Sequence, residues 1–464
     1  MTAPATGSSV AAGALDALGA VLPSGVLVSD VDILGSYRFD RSNAPDAGWP
    51  LAVVRATTAA DVQATLAWAS AHQVPVVPRG AGTSLAGGSL AVDGCVVLST
   101  ERMRAIAVDG AAAVAVAQPG AMNAEVKEAA SAAGLWYPPD PSSFAICSIG
   151  GNVATNAGGA CCVKYGVTTD YVLGLQVVLA DGRLLTLGGR TVKDVAGYDL
   201  KRLFVGSEGT LGVITEVTLR LRPQPPGAAT MVASFGDVAA AGRAVAAIAA
   251  HSRPSALELM DQMAVRAVEA RLRMGLDTSC GALLLGQSDA GGERGRHDID
   301  SMVATCTAHG ATATYVTDDQ DEGEQFMAAR RMAIPAVEQL GTVLIEDVGV
   351  PIPQIAALVE GIAALRDRHD TMIATIGHAG DGNFHPLVTF DRNNPDAVAR
   401  ARVAFGAVMD LALALGGTVT GEHGVGTLKR PWLATQLGED VLDLQRQIKA
   451  MFDPQGILNP GKAL

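Results

Sequence analysis

Two histidines and a carboxylate are the residues in this chain whose types and spacing point most directly to chemistry. His378 and His385 flank Gly380, Asp381, Gly382 and Asn383 in the segment IGHAGDGNFHP. A hairpin across those turn-forming residues would set both imidazoles at one end of neighbouring strands. Further on, GEHGVG supplies Glu422 and His423. Two histidines and one carboxylate, with a coordination position left open, form the donor set of a catalytic divalent ion, so His378, His385 and Glu422 are the candidate metal ligands. The imidazole of His423 titrates near neutral pH, which suits a proton acceptor. Histidines also satisfy turns, so the same spacing has a purely structural alternative.

The second chemical signal is backbone rather than side chain. The stretch PPDPSSFAICSIGGNVATNAGGACCVKYG, from Pro138 to Gly166, is rich in glycine and small residues. Little side-chain bulk stands between its N–H groups and a large anionic partner. A second such segment, VPVVPRGAGTSLAGG (Val74 to Gly88), follows an apolar run of β character. Amides from Gly80, Ala81, Gly82 and Thr83 could wrap a pyrophosphate there. It is not a Rossmann fingerprint, and no Walker lysine follows it. The third segment is KDVAGYDLKRLFVGSEGTLGVITEVTLRLRP, Lys193 to Pro223.

With the three segments in this order, the chain resembles the PCMH-type FAD-binding fold of the vanillyl-alcohol oxidase superfamily. Within it, the chain is similar to the group of D-lactate dehydrogenases, D-2-hydroxyglutarate dehydrogenases and glycolate oxidase flavoprotein subunits, from about Tyr37 to Lys462. The resemblance implies non-covalent FAD, since no histidine stands in the first glycine loop to carry a covalent bond. It assigns Arg79, Gly80, Ala81, Gly82, Thr83 and Ser84 to the pyrophosphate, and Pro139, Asp140, Ser142, Gly150, Gly151, Asn152, Thr155 and Asn156 to the flavin and its phosphates. Glu208, Gly209 and Ile214 match the adenine and ribose side, and Asn459 matches a tail residue near the ring.

By the same resemblance His378, His385 and Glu422 hold a zinc-type ion and His423 takes the hydroxyl proton. Arg330 matches the arginine that binds the substrate carboxylate, with Asn383 adding a hydrogen bond, while Arg331 reads as a surface or packing residue. Relatives acting on 2-hydroxyglutarate place a threonine and a lysine after that arginine. Here the same count gives Ile334 and Ile345, an apolar lining that discourages a second negative charge. The implied activity is therefore FAD-dependent, metal-assisted oxidation of a D-2-hydroxy monocarboxylate such as D-lactate or glycolate, with hydride passing to flavin N5.

Several alternatives stay open: a D-2-hydroxyglutarate dehydrogenase, the flavoprotein subunit of a glycolate oxidase with an iron–sulfur partner, a non-redox flavin alkyl transferase, and a metal hydrolase with structural glycine loops. The electron acceptor is open between a quinone, a cytochrome, an electron-transfer flavoprotein and oxygen. A homodimer is compatible with all of them.

Composition narrows the setting. The chain has 464 residues, 49% apolar and 17% charged, which suits a well-packed globular protein of more than one domain. Its formal charge of -13 argues against nucleic acid and against an anionic bilayer. The six cysteines, Cys95, Cys147, Cys161, Cys162, Cys280 and Cys306, form no CxxC pair, so neither an iron–sulfur cluster nor a zinc ribbon is indicated. Reduced thiols fit a cytoplasmic setting. The N-terminus lacks the charged region of a signal peptide, the first basic residue being Arg38, and no apolar run is long enough to span a bilayer. Any membrane association would be peripheral.

The elements that must position these residues read as α+β throughout. A helical pattern, Ala11 to Leu22, opens an N-terminal segment (1–46). PLAVVRA, a helix capped by Thr58 and Asp61, and VPVVPRG form a β-α-β start to an FAD-binding domain of two subdomains (47–226). DYVLGLQVVLADGRLLTLGG reads as a hairpin with Asp181 and Gly182 as a two-residue turn. The proline-rich RPQPPGAA marks a boundary, after which strands and helices alternate in a ferredoxin-like cap on an antiparallel sheet (227–420). The last segment (421–464) is expected to return to the flavin domain.

Overall fold

The structure, a computed structural model, describes residues 9–44 and 46–464. The chain divides into two compact units: residues up to Ala157 with Val167–Gln224 and Glu422–Leu464, and Gly158–Gly166 with Pro225–Gly421.

The first unit holds two main sheets. Strands Ala52–Arg55, Val96–Ser99 and Val76–Arg79 lie parallel, and Leu27–Val28 adds to one edge antiparallel. The crossover between the first and last of these is the helix Ala59–His72. Thr58 accepts the Asp61 amide while Asp61 takes the Thr58 amide in return, so the capping box read from the sequence is present. Val53, Val54, Val76, Val77, Val96, Val97 and Leu98 are fully buried, which explains why this parallel sheet reads as near-continuous apolar runs. Each such side chain contributes roughly 1.5–3 kcal/mol by leaving water.

The chain end joins this core. Ile457 and Leu458 pack among the same residues, and the backbone alternates hydrogen bonds with Val76 (Val76 N to Ile457 O 2.8 Å, Asn459 N to Val76 O 2.8 Å).

The second sheet of this unit is antiparallel, in the order Ile106–Asp109, Val114–Ala117, Val213–Arg220, Val172–Val178, Leu184–Gly188. Its last two strands form the expected hairpin, but the turn is one residue longer than predicted. The Leu179 amide bonds the Arg183 carbonyl at 2.9 Å, so Ala180, Asp181 and Gly182 all lie in the loop. Gly182 sits at φ 85°, the left-handed position that a three-residue hairpin loop assigns to glycine.

The second unit is built on one antiparallel sheet. The order is Ala311–Thr317, Ala229–Phe235, Ala282–Ser288, Ala256–Asp261, Met372–His378, Asn383–Phe390, Thr342–Ile345, with Val348–Gly349 also paired to Asn383–Phe390. Helices Val238–His251, Gln262–Leu272, Gly292–Ala308 and Ile355–Arg368 alternate with the strands. Gly158–Gly166, read from the sequence as the end of the flavin stretch, belongs to this unit instead. Lys164 and Tyr165 both bond Asp289, and Gly380 is glycine where a Cβ would press on Val163 at 2.7 Å.

Candidate active site

In the second unit the strand register assembles the site. Glu258 is directly opposite His378, His378 is opposite Asn383, and Ile376 is opposite His385. Alternate residues of a strand share a face, so Glu258, His378, Asn383 and His385 all project to one side. The hairpin read from IGHAGDGNFHP thus brings both imidazoles together: their ring centroids are 5.3 Å apart with the planes at 84°. The neighbouring pair Ile345 and Leu387 extends the same face, since Leu387 lies two residues beyond His385.

Each histidine is held from behind through Nδ1. For His378 the partner is the Glu258 carboxylate, at 2.8 and 3.0 Å. For His385 it is the Glu346 carbonyl at 3.3 Å, with Asp347 Oδ1 at 3.8 Å. A ring that donates Nδ1–H backwards presents the Nε2 lone pair forwards, as a metal-ligating histidine does.

Asp347 is fully buried and accepts from Asn383 Nδ2 (2.8 Å), Thr420 Oγ1 (2.7 Å) and the Gly421 amide (3.0 Å). It therefore fixes both Asn383 and the backbone at the end of this unit. The amide nitrogen of Asn383 also reaches the Val348 carbonyl at 3.2 Å.

Arg330 closes the helix Gln320–Arg331 and is 3% exposed. Its Nε lies 3.0 Å from Glu258 Oε2, an ion contact without the alignment of a hydrogen bond, and its Nη2 is buried with no hydrogen-bond partner among the described residues. A buried N–H left unpaired costs about 1–3 kcal/mol, and more when charged. An anionic ligand would remove that cost. Arg331 is half-buried and pairs with Glu324. Ile334 is half-buried on the short helix Ala333–Val337, and Ile345 is buried in its strand.

Sequence reasoning missed Glu258, Glu346 and Asp347. The signal was there: an acid inside the apolar alternation of ALELMD, and two adjacent acids inside VLIEDVGV. Buried carboxylates are costly unless matched, so acids in such positions mark a site.

In the first unit the first glycine loop leaves the strand Val76–Arg79. Val76, Val77 and Ala86 are buried while residues 78–85 stay half-exposed, so Arg79, Gly80, Ala81, Gly82, Thr83 and Ser84 form an open lining. The glycines also let loops meet: a Cβ at Gly80 would stand 2.3 Å from Ser148 Oγ, and the Ala81 amide donates to that oxygen at 3.3 Å. Partial burial lowers the pKa of Arg79.

Gly150, Gly151, Asn152 and Thr155 lie on the helix Ile149–Thr155, and Asn156 ends it in the left-handed conformation. Two of these side chains serve the framework: Asn152 Oδ1 accepts from Asn123 (3.0 Å), and Asn156 Oδ1 accepts from the Thr169 amide (2.9 Å). Pro139 gives its carbonyl to Asn123. Asp140 and Ser142 lie on the same irregular segment, half-buried and exposed respectively.

A second cluster joins the third segment to the tail. Glu208 and Gly209 turn through φ 51° and 71°, and Asn459 Nδ2 donates to the carbonyls of Glu208 (2.7 Å) and Gly88 (2.9 Å). Ile214 is buried in the strand Val213–Arg220. Glu422 and His423 begin the last segment of this unit, with His423 Nε2 3.6 Å from Glu422 Oε1. Both are largely buried.

Residues 50–188 match the family model for an FAD binding domain, and residues 224–463 match that for FAD linked oxidases, C-terminal domain. The chain is 41% identical over 446 residues to the glycolate oxidase subunit GlcD of Bacillus subtilis, covering 93% of this chain and 95% of that one. It is 35% identical over 437 residues to the D-lactate dehydrogenase of Archaeoglobus fulgidus, covering 92% and 95%. Among solved structures, p-cresol methylhydroxylase with substrate bound aligns over 98% of this chain and 97% of its own at a TM-score of 0.83. At 18% identity that likeness concerns the fold alone, the PCMH-type FAD-binding fold.

Proposed function

The chain belongs to the family of FAD-linked oxidases, and from that premise we propose that it oxidises a small D-2-hydroxy acid to the 2-oxo acid. The relatives at 41% and 35% identity are named for glycolate and D-lactate, which are both 2-hydroxy monocarboxylates. One observation carries the reading: the buried Nη2 of Arg330, without a hydrogen-bond partner among the described residues, on a guanidinium whose neighbour Glu258 also holds His378 Nδ1. A carboxylate on the arginine and a hydroxyl on the adjacent carbon satisfy both at once.

Arg330 binds and orients the substrate carboxylate. His378, His385 and Glu422 are the proposed ligands of a divalent ion, zinc being the best match to an imidazole and carboxylate set, with Asp347 a further acidic donor beside His385. Glu422 follows Gly421 directly in the chain, and the Gly421 amide is bonded to Asp347. When bound, the ion supplies positive charge that favours loss of the hydroxyl proton, and FAD supplies the two-electron acceptor. His423 accepts that proton. Ile345, on the face that carries His385, and Ile334 favour a substrate with one carboxylate. Arg79 and the half-exposed loop after it are the proposed seat of the FAD pyrophosphate. Because one relative is named as an oxidase subunit, an electron-accepting partner subunit is part of the same reading.

Steady-state turnover with an artificial electron acceptor tests this. D-lactate or glycolate should be oxidised, L-lactate and D-2-hydroxyglutarate much more slowly. Chelation should remove the activity and Zn2+ restore it. Equal rates on D-2-hydroxyglutarate would overturn the substrate assignment, and activity indifferent to the chelator would overturn the metal.

A further inference from the structure

Glu258 is 1% exposed, and the two charged or chargeable side chains it touches, Arg330 and His378, are 3% and 4% exposed. A carboxylate placed so deep survives only with matched partners. Its two oxygens divide the work: Oε2 faces Arg330 Nε at 3.0 Å, and Oε1 faces His378 Nδ1 at 2.8 Å. The opposite register of Glu258 and His378 on adjacent strands makes this arrangement a property of the sheet.

We propose that Glu258 is the positioning residue of the site, fixing with one carboxylate both the ligand-binding edge of Arg330 and the metal-facing nitrogen of His378. The inference rests on the roles given to those two residues under the proposed function. Two acceptor atoms cannot approach at 2.8 Å without repulsion, so His378 Nδ1 carries a proton, and in the neutral ring the lone pair is then on Nε2. The same carboxylate stands 3.0 Å from Arg330 Nε, so its charge limits the orientations open to the buried guanidinium. Substrate orientation and metal affinity are thereby coupled through one side chain that touches neither ligand.

Glutamine at this position makes the consequence specific. Its amide has one acceptor where two are needed. If the nitrogen faces His378, that ring must accept at Nδ1 and move its proton to Nε2, which blocks the metal. If the nitrogen faces Arg330, two donors meet and the guanidinium must turn. Either way the site loses one of its two fixed elements.

The test has a readout independent of turnover. In the protein labelled with 15N-histidine, the His378 ring, assigned by its loss in His378→Asn, should be the Nδ1–H tautomer, and Glu258→Gln should shift it. Zn2+ alone, titrated against a competing chelator, should bind about 10–100-fold more weakly to the Glu258→Gln variant. The KM for D-lactate should rise along with a fall in kcat. Should Glu258→Gln fail to fold, the double variant Glu258→Gln/Arg330→Gln removes both buried charges together and should fold while still binding Zn2+ poorly. An Nε2–H tautomer in the parent protein, or unchanged Zn2+ affinity and KM in a folded variant, overturns the proposal. A parent protein with the Nδ1–H tautomer but no turnover of 2-hydroxy acids would instead overturn the proposed function and leave the positioning role of Glu258 standing.

Discussion

Glu208 holds Gly426: its Oε2 accepts the Gly426 amide at 2.8 Å while Oε1 accepts the Val425 amide at 2.7 Å. Those amides belong to GEHGVG, three and four residues beyond Glu422. Burial raises the pKa of Glu208, and the two amides together with Lys429 work against that rise. Its backbone is left-handed, at φ 51°. The resemblance had given Glu208 to the adenine and ribose side of FAD; its carboxylate oxygens are engaged by the segment that carries His423.

Glu208→Ala should therefore strand two buried amides and cost about 2–6 kcal/mol of stability. Thermal unfolding should show the loss, and turnover should fall even where the flavin remains bound. Parent-like stability and activity would mean that the segment is held by its other contacts.

His423→Ala should lower kcat by about 100-fold or more while leaving the bound-flavin absorbance unchanged. The expected pattern is loss of turnover without loss of cofactor. Full activity would remove His423 from the mechanism.

How much of this was legible follows from which interactions are local. The His378/His385 hairpin could be read because its turn residues lie between the histidines, and the Thr58/Asp61 cap because its partners are three residues apart. Glu258 and His378 are 120 residues apart and meet only through strand order, which no short pattern encodes. The Asp181–Gly182 turn was half legible: the glycine marks a left-handed position, but loop length depends on where the ladder stops. The run Gly158–Gly166 is attached by Lys164 and Tyr165 to Asp289, 125 and 124 residues further on, a partner that no local pattern names.

Ile345→Lys should open the site to a second carboxylate. The position is buried, on the face that carries His385, so an ammonium placed there gains most when a ligand anion pairs with it. The ratio of kcat/KM for D-2-hydroxyglutarate over D-lactate should rise about tenfold or more, equivalent to about 1.4 kcal/mol. An unchanged ratio would place the substrate side chain elsewhere.

Asp261 gives the second unit a pH dependence. Burial raises its pKa from 3.8 to about 6, although it accepts the Ala264 and Thr375 amides. A raised carboxyl pKa means that the folded state prefers the protonated form. Its contribution to stability is full below the unfolded value near 3.8 and is lost as pH rises through about 6. Across that window the difference in unfolding free energy between the parent and Asp261→Asn should drift by about 1.4 kcal/mol per pH unit against the parent, then level off. Urea unfolding of both proteins from pH 4 to pH 7 measures it. Parallel curves would show that Asp261 titrates alike in the folded and unfolded states.

The proposed transfer of electrons from a D-2-hydroxy acid bound through Arg330 to a flavin held by this chain is visible in the flavin itself. Its most direct measurement is the oxidised-flavin absorbance of the FAD-loaded protein under anaerobic conditions, titrated with D- and L-lactate, glycolate and D-2-hydroxyglutarate. D-lactate or glycolate should bleach it, and Arg330→Gln should need far more of either. A flavin that chemical reductant bleaches but that none of these acids touches would contradict the account.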